Sequence, residues 1–493
     1  MHREFLINIV FLVFINLLIK PLFIFGIDLR VQNTVAAEDY GLYFTLLSLA
    51  YLFQILCDFG VQNFTNRHIS RHPQLMSKYF PSLFGLKLLL SGLYLVCTPL
   101  IAWAVLGYKG REITLLFILL VNQTLIQMVF FFRSNISGLG HYRMDSVLSS
   151  LDKFLMLGTC GALLWGFQEQ VSVFSFALAQ TAALVCTWMM VFGWLRRKTA
   201  FSVFSLWSRN FSSLAATMAF FFRQSVPYAL AIVLMTAYTR LDPVLLERML
   251  PDGRYHADVY AGGYRLLDAC NMFGYLFATL LLPMFARQLR DRHNEESLQS
   301  LVFLSFRLIW AASITLSAII SMCAPDLIRL LLPDRVSAYR WETLSVLIWA
   351  FVPVAVIYIF STLLTANAQI GRLNRYFIMA IVLNVALNMS FIPYWQALGS
   401  ALATLITQWF IAISCLLLTY RYFKWKNTER IWMRTALYAG GMAFAAWSLA
   451  HLHAYPWYFR ALLLGGAGAV GSVFLFWDDR GMVWRYFTKK AVS

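Results

Sequence analysis

The stretch FLINIVFLVFINLLIKPLFIFGI, residues Phe5 to Ile27, decides the fold class. It is an apolar run with a single charge, Lys20, and it reaches the ~20 residues that a helix needs to cross a ~30 Å hydrocarbon core. A backbone in lipid must satisfy its own hydrogen bonds, so such a run forms a helix. The run is too long for a signal-peptide core and lacks a small-residue cleavage site, which predicts a retained first span.

Similar runs recur to the end of the chain and predict an all-α polytopic membrane protein with about fourteen transmembrane helices. Of the 493 residues, 60% are hydrophobic and 13% are charged, whereas a soluble protein carries about 25% charged residues. A membrane β-barrel would show short alternating segments instead. The predicted spans cover residues 5–27, 40–59, 81–106, 113–131, 149–165, 172–194, 225–248, 262–286, 301–324, 341–368, 376–393, 396–420, 435–452 and 461–477.

The distribution of positive charge predicts the orientation. With the N-terminus inside, Lys and Arg are about three times as frequent in the inner segments as in the outer ones, as the positive-inside rule requires. Both termini are therefore predicted to be cytoplasmic. The same rule explains the net charge of +17, and because no nucleic-acid-binding motif is present, nucleic acid is not a predicted partner.

Neither a cofactor nor a metal is predicted, and the chain is not expected to be an enzyme. The sequence has no Walker A motif and no metal-binding pattern of His or Cys, and its seven cysteines lie mostly within apolar runs, as small buried side chains do. Every loop between predicted spans is short, which leaves no room for a catalytic domain outside the membrane. Transport or chemistry must therefore take place among the helices.

A weak internal repeat predicts two lobes. Glu38–Tyr43 opens span two and Ala257–Tyr264 opens span eight, and each follows a span with a cation and a proline, Lys20-Pro21 or Arg240–Pro243. A repeat of six helices keeps its orientation, so two six-helix lobes would be related by a pseudo-two-fold axis along the membrane normal, with two helices added at the C-terminus. The predicted organisation is an N-lobe at 1–198, a cytoplasmic linker at 199–224, a C-lobe at 225–424, and spans thirteen and fourteen with a cytoplasmic tail at 425–493.

Three cations at comparable depth in spans one, seven and eight, with two carboxylates in spans seven and eight, form the candidate site. A charge inside a span usually faces a cavity or a partner. Lys20, Arg240 and Arg265 outnumber the carboxylates of Asp242 and Asp268, which favours binding of a phosphate or an acidic sugar. In the alternative interpretation Arg240 pairs with a carboxylate and Lys20 snorkels outward. The two aspartates either carry a coupling ion or take part in ion pairs.

Other charges lie near the predicted cytoplasmic ends of their spans. Either snorkelling or the ion pairs of an inner gate would explain Asp58, Lys87, Asp152, Lys153 and Arg307. The gate candidates among them are Asp58, Asp152 and Lys153.

Several short motifs resemble those of O-antigen and polysaccharide flippases (Wzx-type). These belong to the multidrug, oligosaccharidyl-lipid and polysaccharide (MOP) exporter superfamily. The motifs are Phe25–Arg30, Tyr40–Tyr43, Asp58–Asn63, Tyr238–Asp242 and Tyr260–Arg265. The resemblance extends over nearly all of the chain.

The resemblance implies two six-helix lobes around a cationic cavity that works by alternating access. The expected task is export of an undecaprenyl-diphosphate-linked oligosaccharide from the inner to the outer leaflet of the bacterial cytoplasmic membrane, with membrane lipids and glycan assembly proteins as partners. Lys20 and Arg265 match the family's basic residues in kind and place, and Arg30 joins this set from the matching stretch. The family's cation in the second helix has no counterpart in span two here.

Three alternatives remain open from the sequence. A drug or metabolite antiporter of the same superfamily should favour acidic cavity residues, whereas cations prevail here. A peptidoglycan-precursor flippase would share the same helical plan. A membrane glycan polymerase or ligase would need a sizeable outer loop, and the predicted outer loops are short.

Overall fold

Helices form every regular element of the described chain. The computed structural model describes residues 18–19, 21–62, 76–199, 229–230, 232–289, 295–423, 425, 428–451 and 455–476. No strand occurs within these ranges, and the prediction of an all-α protein is confirmed. The physical reason is the bilayer, in which a helix satisfies the backbone hydrogen bonds of a single segment.

The described part of the N-terminal half begins with helical residues 18–19 and 21–23, which are followed by a π-helical segment and seven α-helices. The π-helical segment is Ile24–Asp28, and the α-helices are α1 Leu29–Thr34, α2 Ala37–Phe53, α3 Ile55–Asp58, α4 Met76–Ala104, α5 Arg111–Gly138, α6 Tyr142–Gly166 and α7 Val173–Thr199.

The C-terminal half begins with helical residues 232–240, which lead into α8. Its helices are α8 Asp242–Met249, α9 Gly253–Gln288, α10 Glu295–Met322, α11 Ala324–Leu331, α12 Ala338–Leu347, α13 Phe351–Ala366, α14 Ile370–Phe423, α15 Glu429–Ala450 and α16 Trp457–Leu475.

Nine helices of the described residues are long and apolar enough to cross a membrane. They lie in α4, α5, α6, α7, α9, α10, the continuous pair α12–α13, α14 and α16. The chain is therefore a multi-pass membrane protein, and the count of fourteen spans stays a prediction.

Helix α14 contains a break that separates two predicted spans. Gln396 has φ 53° and ψ −125°, so the regular helix stops there, three residues after Pro393. At 1.5 Å per residue, the 54-residue element would otherwise be about 80 Å long, far more than one bilayer crossing. The break falls where the sequence predicts one span to end at 393 and the next to begin at 396.

The chain divides into two compact units. The first contains Met1–Ala261 together with Asn388–Ala397, and the second contains Gly262–Leu387 together with Leu398–Ser493. Apart from Thr199, which ends α7, the predicted linker at 199–224 lies outside the described residues, and the predicted lobe boundaries stay a prediction.

An aromatic cluster forms a core of the first unit between α4, α5 and α7. Phe84 and Phe132 are buried with ring centroids 5.9 Å apart, and Phe132 lies 5.4 Å from Phe192. Trp188 stacks on Phe192 with ring centroids 5.2 Å apart. This packing joins helices that lie close in sequence.

In the second unit, α15 and α16 pack tightly on α10. The Tyr438 hydroxyl lies 2.6 Å from the Thr315 hydroxyl and 3.3 Å from the carbonyl oxygen of Gly468. The Trp310 indole donates to the carbonyl oxygen of Thr435 at 3.2 Å. Small residues and interhelical hydrogen bonds are the forces that associate helices in lipid, where burial of apolar surface adds little.

Arg307 fixes the end of α16 to α10. Its guanidinium donates to the carbonyl oxygen of Leu475 at 3.2 Å, and the side chain is buried. A cation at a helix C-terminus satisfies a carbonyl that has no partner within the helix and complements the helix dipole. Snorkelling is therefore wrong for Arg307, because its charge is bound inside the protein.

We predict that Gly468→Leu destabilises the protein by about 2 kcal/mol, as overpacking of a tight contact does. A Cβ atom at Gly468 would meet the Thr315 side chain at 2.6 Å. Thermal unfolding of the detergent-purified protein measures the effect. Gly466→Leu is the matched control because no atom lies within 4 Å of a Cβ atom there. Equal melting temperatures of the two variants would contradict the prediction.

Candidate substrate and coupling site

The structure places the predicted cations in different parts of the chain. Lys20 lies outside the described residues. Arg30 is exposed on α1, and Arg240 is the last residue of the helix that precedes α8. Arg265 is buried in the middle part of α9 and belongs to the second unit, whereas Arg30 and Arg240 belong to the first. The grouping of Lys20, Arg240 and Arg265 therefore stays a prediction.

Arg240 makes a cation–π contact with a tyrosine ring. Its guanidinium carbon lies 4.7 Å from the ring centroid of Tyr51, within the range of a cation–π interaction. Tyr51 belongs to α2, so this contact links the second predicted span with the seventh. Such stacking fixes the orientation of the planar guanidinium.

Asp242 is a fully buried carboxylate whose two oxygens both accept hydrogen bonds from neutral groups. The Tyr260 hydroxyl donates to Oδ2 at 2.9 Å, and the Asn388 amide donates to Oδ1 at 2.8 Å. Asp242 opens α8, where Pro243 at the first turn has no backbone N–H to satisfy. The site thus joins three segments of the first unit around one ionisable group. Asp268, the second predicted carboxylate, lies half-buried on α9.

A second buried carboxylate, Asp28, was missed by the sequence reasoning. The sequence predicts span one to end at residue 27, but helical structure continues through Thr34. Asp28 closes the π-helical segment, and its Oδ1 accepts a hydrogen bond from the Tyr40 hydroxyl at 3.2 Å. Single π-helical turns are frequent at functional sites. The available signal was an acidic residue directly after an apolar run.

Asp258 binds Gln32 close to these residues in the first unit. The Gln32 amide donates to both the side-chain Oδ1 and the backbone oxygen of Asp258, each at 2.9 Å. Both side chains are buried. The contact ties α1 to the second turn of α9.

Asp58 and Lys87 form an ion pair inside the first unit. Lys87 is 0% exposed, and its Nζ lies 2.5 Å from Oδ1 of Asp58. Of the two sequence-based explanations, the ion pair is therefore the observed one, and snorkelling is wrong for Lys87. Asp58 ends α3 just before Phe59, which caps the helix in the left-handed conformation at φ 47°. A role of this pair in an inner gate stays a prediction.

Asp152 and Lys153 lie side by side on α6. Their charged atoms are 3.9 Å apart, and the Lys153 ammonium lies 5.0 Å from the ring centroid of Phe23. Both side chains are partly buried. Their predicted role at an inner gate is neither supported nor contradicted by these contacts.

No group of three or more His, Cys, Asp or Glu residues in the described part of the chain is placed to hold a metal ion.

Family comparisons define the class of protein. The sequence model of the polysaccharide biosynthesis protein family matches residues 5–289, more than half of the chain, and the chain belongs to this family. The model of the lipid II flippase MurJ matches residues 259–468. A search of curated proteins found no match.

Solved structures of the MOP superfamily share the fold. A lipid II flippase MurJ in an inward closed conformation has a TM-score of 0.69 at 12% identity, and the match covers 97% of this chain and 99% of that one. An inward-facing MATE family multidrug transporter has a TM-score of 0.65 at 15% identity, with 82% and 94% covered. A MOP superfamily transporter from Pyrococcus furiosus has a TM-score of 0.58 at 16% identity, with 85% and 95% covered. The chain therefore has a MOP-type transporter fold.

We predict that Lys87→Met destabilises the protein by about 3 kcal/mol or more, because it leaves the Asp58 carboxylate buried without its cation. The double variant Lys87→Met/Asp58→Leu should recover most of this loss, since it removes both charges. Thermal unfolding in detergent measures all three proteins. A double variant that is less stable than Lys87→Met would contradict the interpretation.

Proposed function

We propose that the protein is a flippase for an undecaprenyl-diphosphate-linked oligosaccharide, such as the repeat unit of an O-antigen or exopolysaccharide. It would carry this lipid from the inner to the outer leaflet of the bacterial cytoplasmic membrane by alternating access. The lipid tail would remain in the bilayer while the sugars and diphosphate cross through the protein.

The observation that carries the proposal is the pair of family matches along one chain. The polysaccharide biosynthesis family covers the N-terminal part and the lipid II flippase family the C-terminal part, with an overlap between them. Lipid II, the substrate named for the second family, is itself a lipid-linked molecule. The two matches together favour a lipid-linked glycan as the cargo.

The proposed binding residues are cationic. We assign Lys20, Arg30, Arg240 and Arg265 to the diphosphate, which carries the only fixed negative charge that every such substrate shares. Arg265 is buried in α9, and a guanidinium suits this role because it can bind phosphate oxygens in pairs. Other residues of the cavity would recognise the sugars.

Asp242 is the stronger of the two proposed coupling residues. Protonation of a carboxylate that accepts two hydrogen bonds would weaken both, so a proton on Asp242 would loosen Tyr260 and Asn388 from α8. A bound cation would act on the same oxygens. Asp268 is the second coupling candidate, and an ion pair is the alternative role for either aspartate.

The membrane arrangement follows from the same proposal. Both termini would be cytoplasmic, the two six-helix lobes would be joined by the linker at 199–224, and glycan polymerase or assembly proteins would act on the exported product. A reporter enzyme fused to the C-terminus, active only in the cytoplasm, tests the orientation.

The second candidate function is flipping of a peptidoglycan precursor. The lipid II flippase family match at 259–468 favours it specifically. A drug antiporter remains the third candidate because MATE transporters share the fold. The three candidates differ in which molecule accumulates when the protein is absent.

Deletion of the gene in the native host tests all three. Lipid-linked glycans are extracted and their leaflet is determined by access of a membrane-impermeant glycan-modifying enzyme. Accumulation of one undecaprenyl-diphosphate glycan on the cytoplasmic leaflet, with loss of the matching surface polysaccharide, supports the proposal. Accumulation of the peptidoglycan precursor supports the second candidate. Accumulation of a lipid-linked glycan on the outer leaflet points to a polymerase or ligase. Unchanged amounts of all lipid-linked glycans would contradict the flippase proposal.

We predict that Arg240→Ala and Arg265→Ala each lower export about tenfold or more, because each removes a charge-assisted contact with the diphosphate. Surface polysaccharide per cell, normalised to the amount of membrane-inserted protein, measures export. Arg329→Ala is the matched control, since Arg329 is exposed on α11. Normal export by both cavity variants at wild-type abundance would show that the cationic-site hypothesis is wrong.

A further inference from the structure

A charged cluster ties α8 to the loop before α5 at the ends of helices that are predicted to face outward. At its centre is Glu247, whose side chain is 4% exposed. Oε2 accepts a hydrogen bond from the Tyr108 hydroxyl at 2.8 Å and lies 3.0 Å from Nε of Arg248. Oε1 accepts from Nε of Arg254 at 3.3 Å. Burial and the Glu247 carboxylate raise the pKa of Tyr108 above its ordinary value, so the hydroxyl keeps the proton that it donates.

Arg254 extends the cluster to α5. Its second guanidinium nitrogen binds Oε1 of Glu112, so one side chain on the first turn of α9 bridges two carboxylates. The Arg248 guanidinium covers the Tyr108 ring, 3.8 Å from its centroid. The cluster thus connects three helices, α5, α8 and α9.

A close backbone contact lies beside the cluster. A Cβ atom at Gly41 would stand 1.8 Å from the carbonyl oxygen of Arg254, so only glycine allows α2 to approach α9 this closely. The Gln32 bond to Asp258 holds the next turn of α9. Three independent contacts therefore converge on the start of α9.

The cluster is suited to breaking and re-forming. Side chains of Arg254 and Glu112 are 39% and 24% exposed, so water can solvate the separated charges and the pair costs little to open. The glycine contact has no interlocking side chain that would have to be withdrawn. The neighbouring pair of Arg111 and Asp39 is more exposed, with side chains 64% and 40% exposed and charged atoms 3.8 Å apart. This pair therefore contributes little to the stability of the closed arrangement.

We propose that Glu112, Glu247 and Arg254, with the Gly41 contact, form a latch that closes the outer ends of these helices. In the structure all four residues lie within the first compact unit, as a closed latch would hold them. The predicted lobes divide at this place, with α2 and α5 in one lobe and α8 and α9 in the other. In alternating access between these lobes, exposure of the cavity on the outer side requires the contacts to separate. Opening of the latch is the step that releases the cargo outward. This inference rests on the proposed alternating-access function, and its test does not require the cargo.

A cysteine behind the latch reports its opening. Thr45 is buried on α2, one turn inward from Gly41, and its hydroxyl donates to the carbonyl oxygen of Pro243 at 3.3 Å. In Thr45→Cys, a membrane-impermeant maleimide added to spheroplasts should label the thiol only when the outer side opens. The protein with its native cysteines alone gives the background, and inside-out vesicles show which side the reagent reaches.

Two independent variants should speed the labelling. Glu112→Gln removes one charge from the bridge, and Gly41→Ala forces the two backbones apart. We expect each to raise the labelling rate of Thr45→Cys roughly tenfold, the factor by which loss of one charged hydrogen bond shifts an equilibrium. The matched controls are Asp39→Asn, a carboxylate in the first turn of α2 whose side chain is 40% exposed, and Gly92→Ala, where no atom lies within 4 Å of a new Cβ atom.

The outcomes separate the latch from the proposed function. Faster labelling in both test variants and unchanged labelling in both controls supports the latch. Unchanged labelling in Glu112→Gln, or labelling raised equally by Asp39→Asn, overturns it even if Gly41→Ala fails to fold. If labelling responds as expected but deletion of the gene leaves all lipid-linked glycans unchanged, the latch stands and the flippase proposal fails.

Discussion

The absence of water inside a bilayer is the constraint on which the structure depends. Each polar group within the membrane must find its partner in the protein, because lipid offers none. Helices meet this demand for the backbone, and the side chains meet it in pairs and small networks such as Asp58 with Lys87 and Asp242 with Tyr260 and Asn388. The same demand makes a cationic residue at membrane depth informative, since it implies either a fixed partner or an anionic ligand.

The fold class could be read from the sequence because it depends on long apolar runs, which are a property of composition and length alone. The break at Gln396 was placed to within a few residues, because the sequence divides there into two apolar runs that are each long enough to span a bilayer. The end of span one was placed too early. Hydropathy falls at Asp28, but the helix continues to Thr34, and the buried carboxylate accepts a hydrogen bond from Tyr40, a contact that no local pattern reveals.

The candidate site was only partly accessible from the sequence. Depth in a span identified Asp242 and Arg240, and the structure gives them the partners Tyr260, Asn388 and Tyr51. Depth could not tell a snorkelling lysine from a paired one, as Lys87 shows, because the partner is 29 residues away in the chain. The cluster of Glu112, Glu247 and Arg254 was not predicted for the same reason: Glu112 and Arg254 are 142 residues apart, and each resembles an ordinary loop charge.

The packing of α15 and α16 on α10 provides a way to measure the motion of α10 with a label placed on α16. Tyr438, Trp310 and Arg307 fasten this helical pair to α10 at several heights, and Gly468 brings the backbones close. Helices bound at several points along their length move as one body. A fluorophore or spin label on the lipid-facing side of α16, for example at exposed Val470, would therefore follow α10 without touching any residue of the proposed transport path. Helices α15 and α16 thus offer positions for labels that report on the motion of α10.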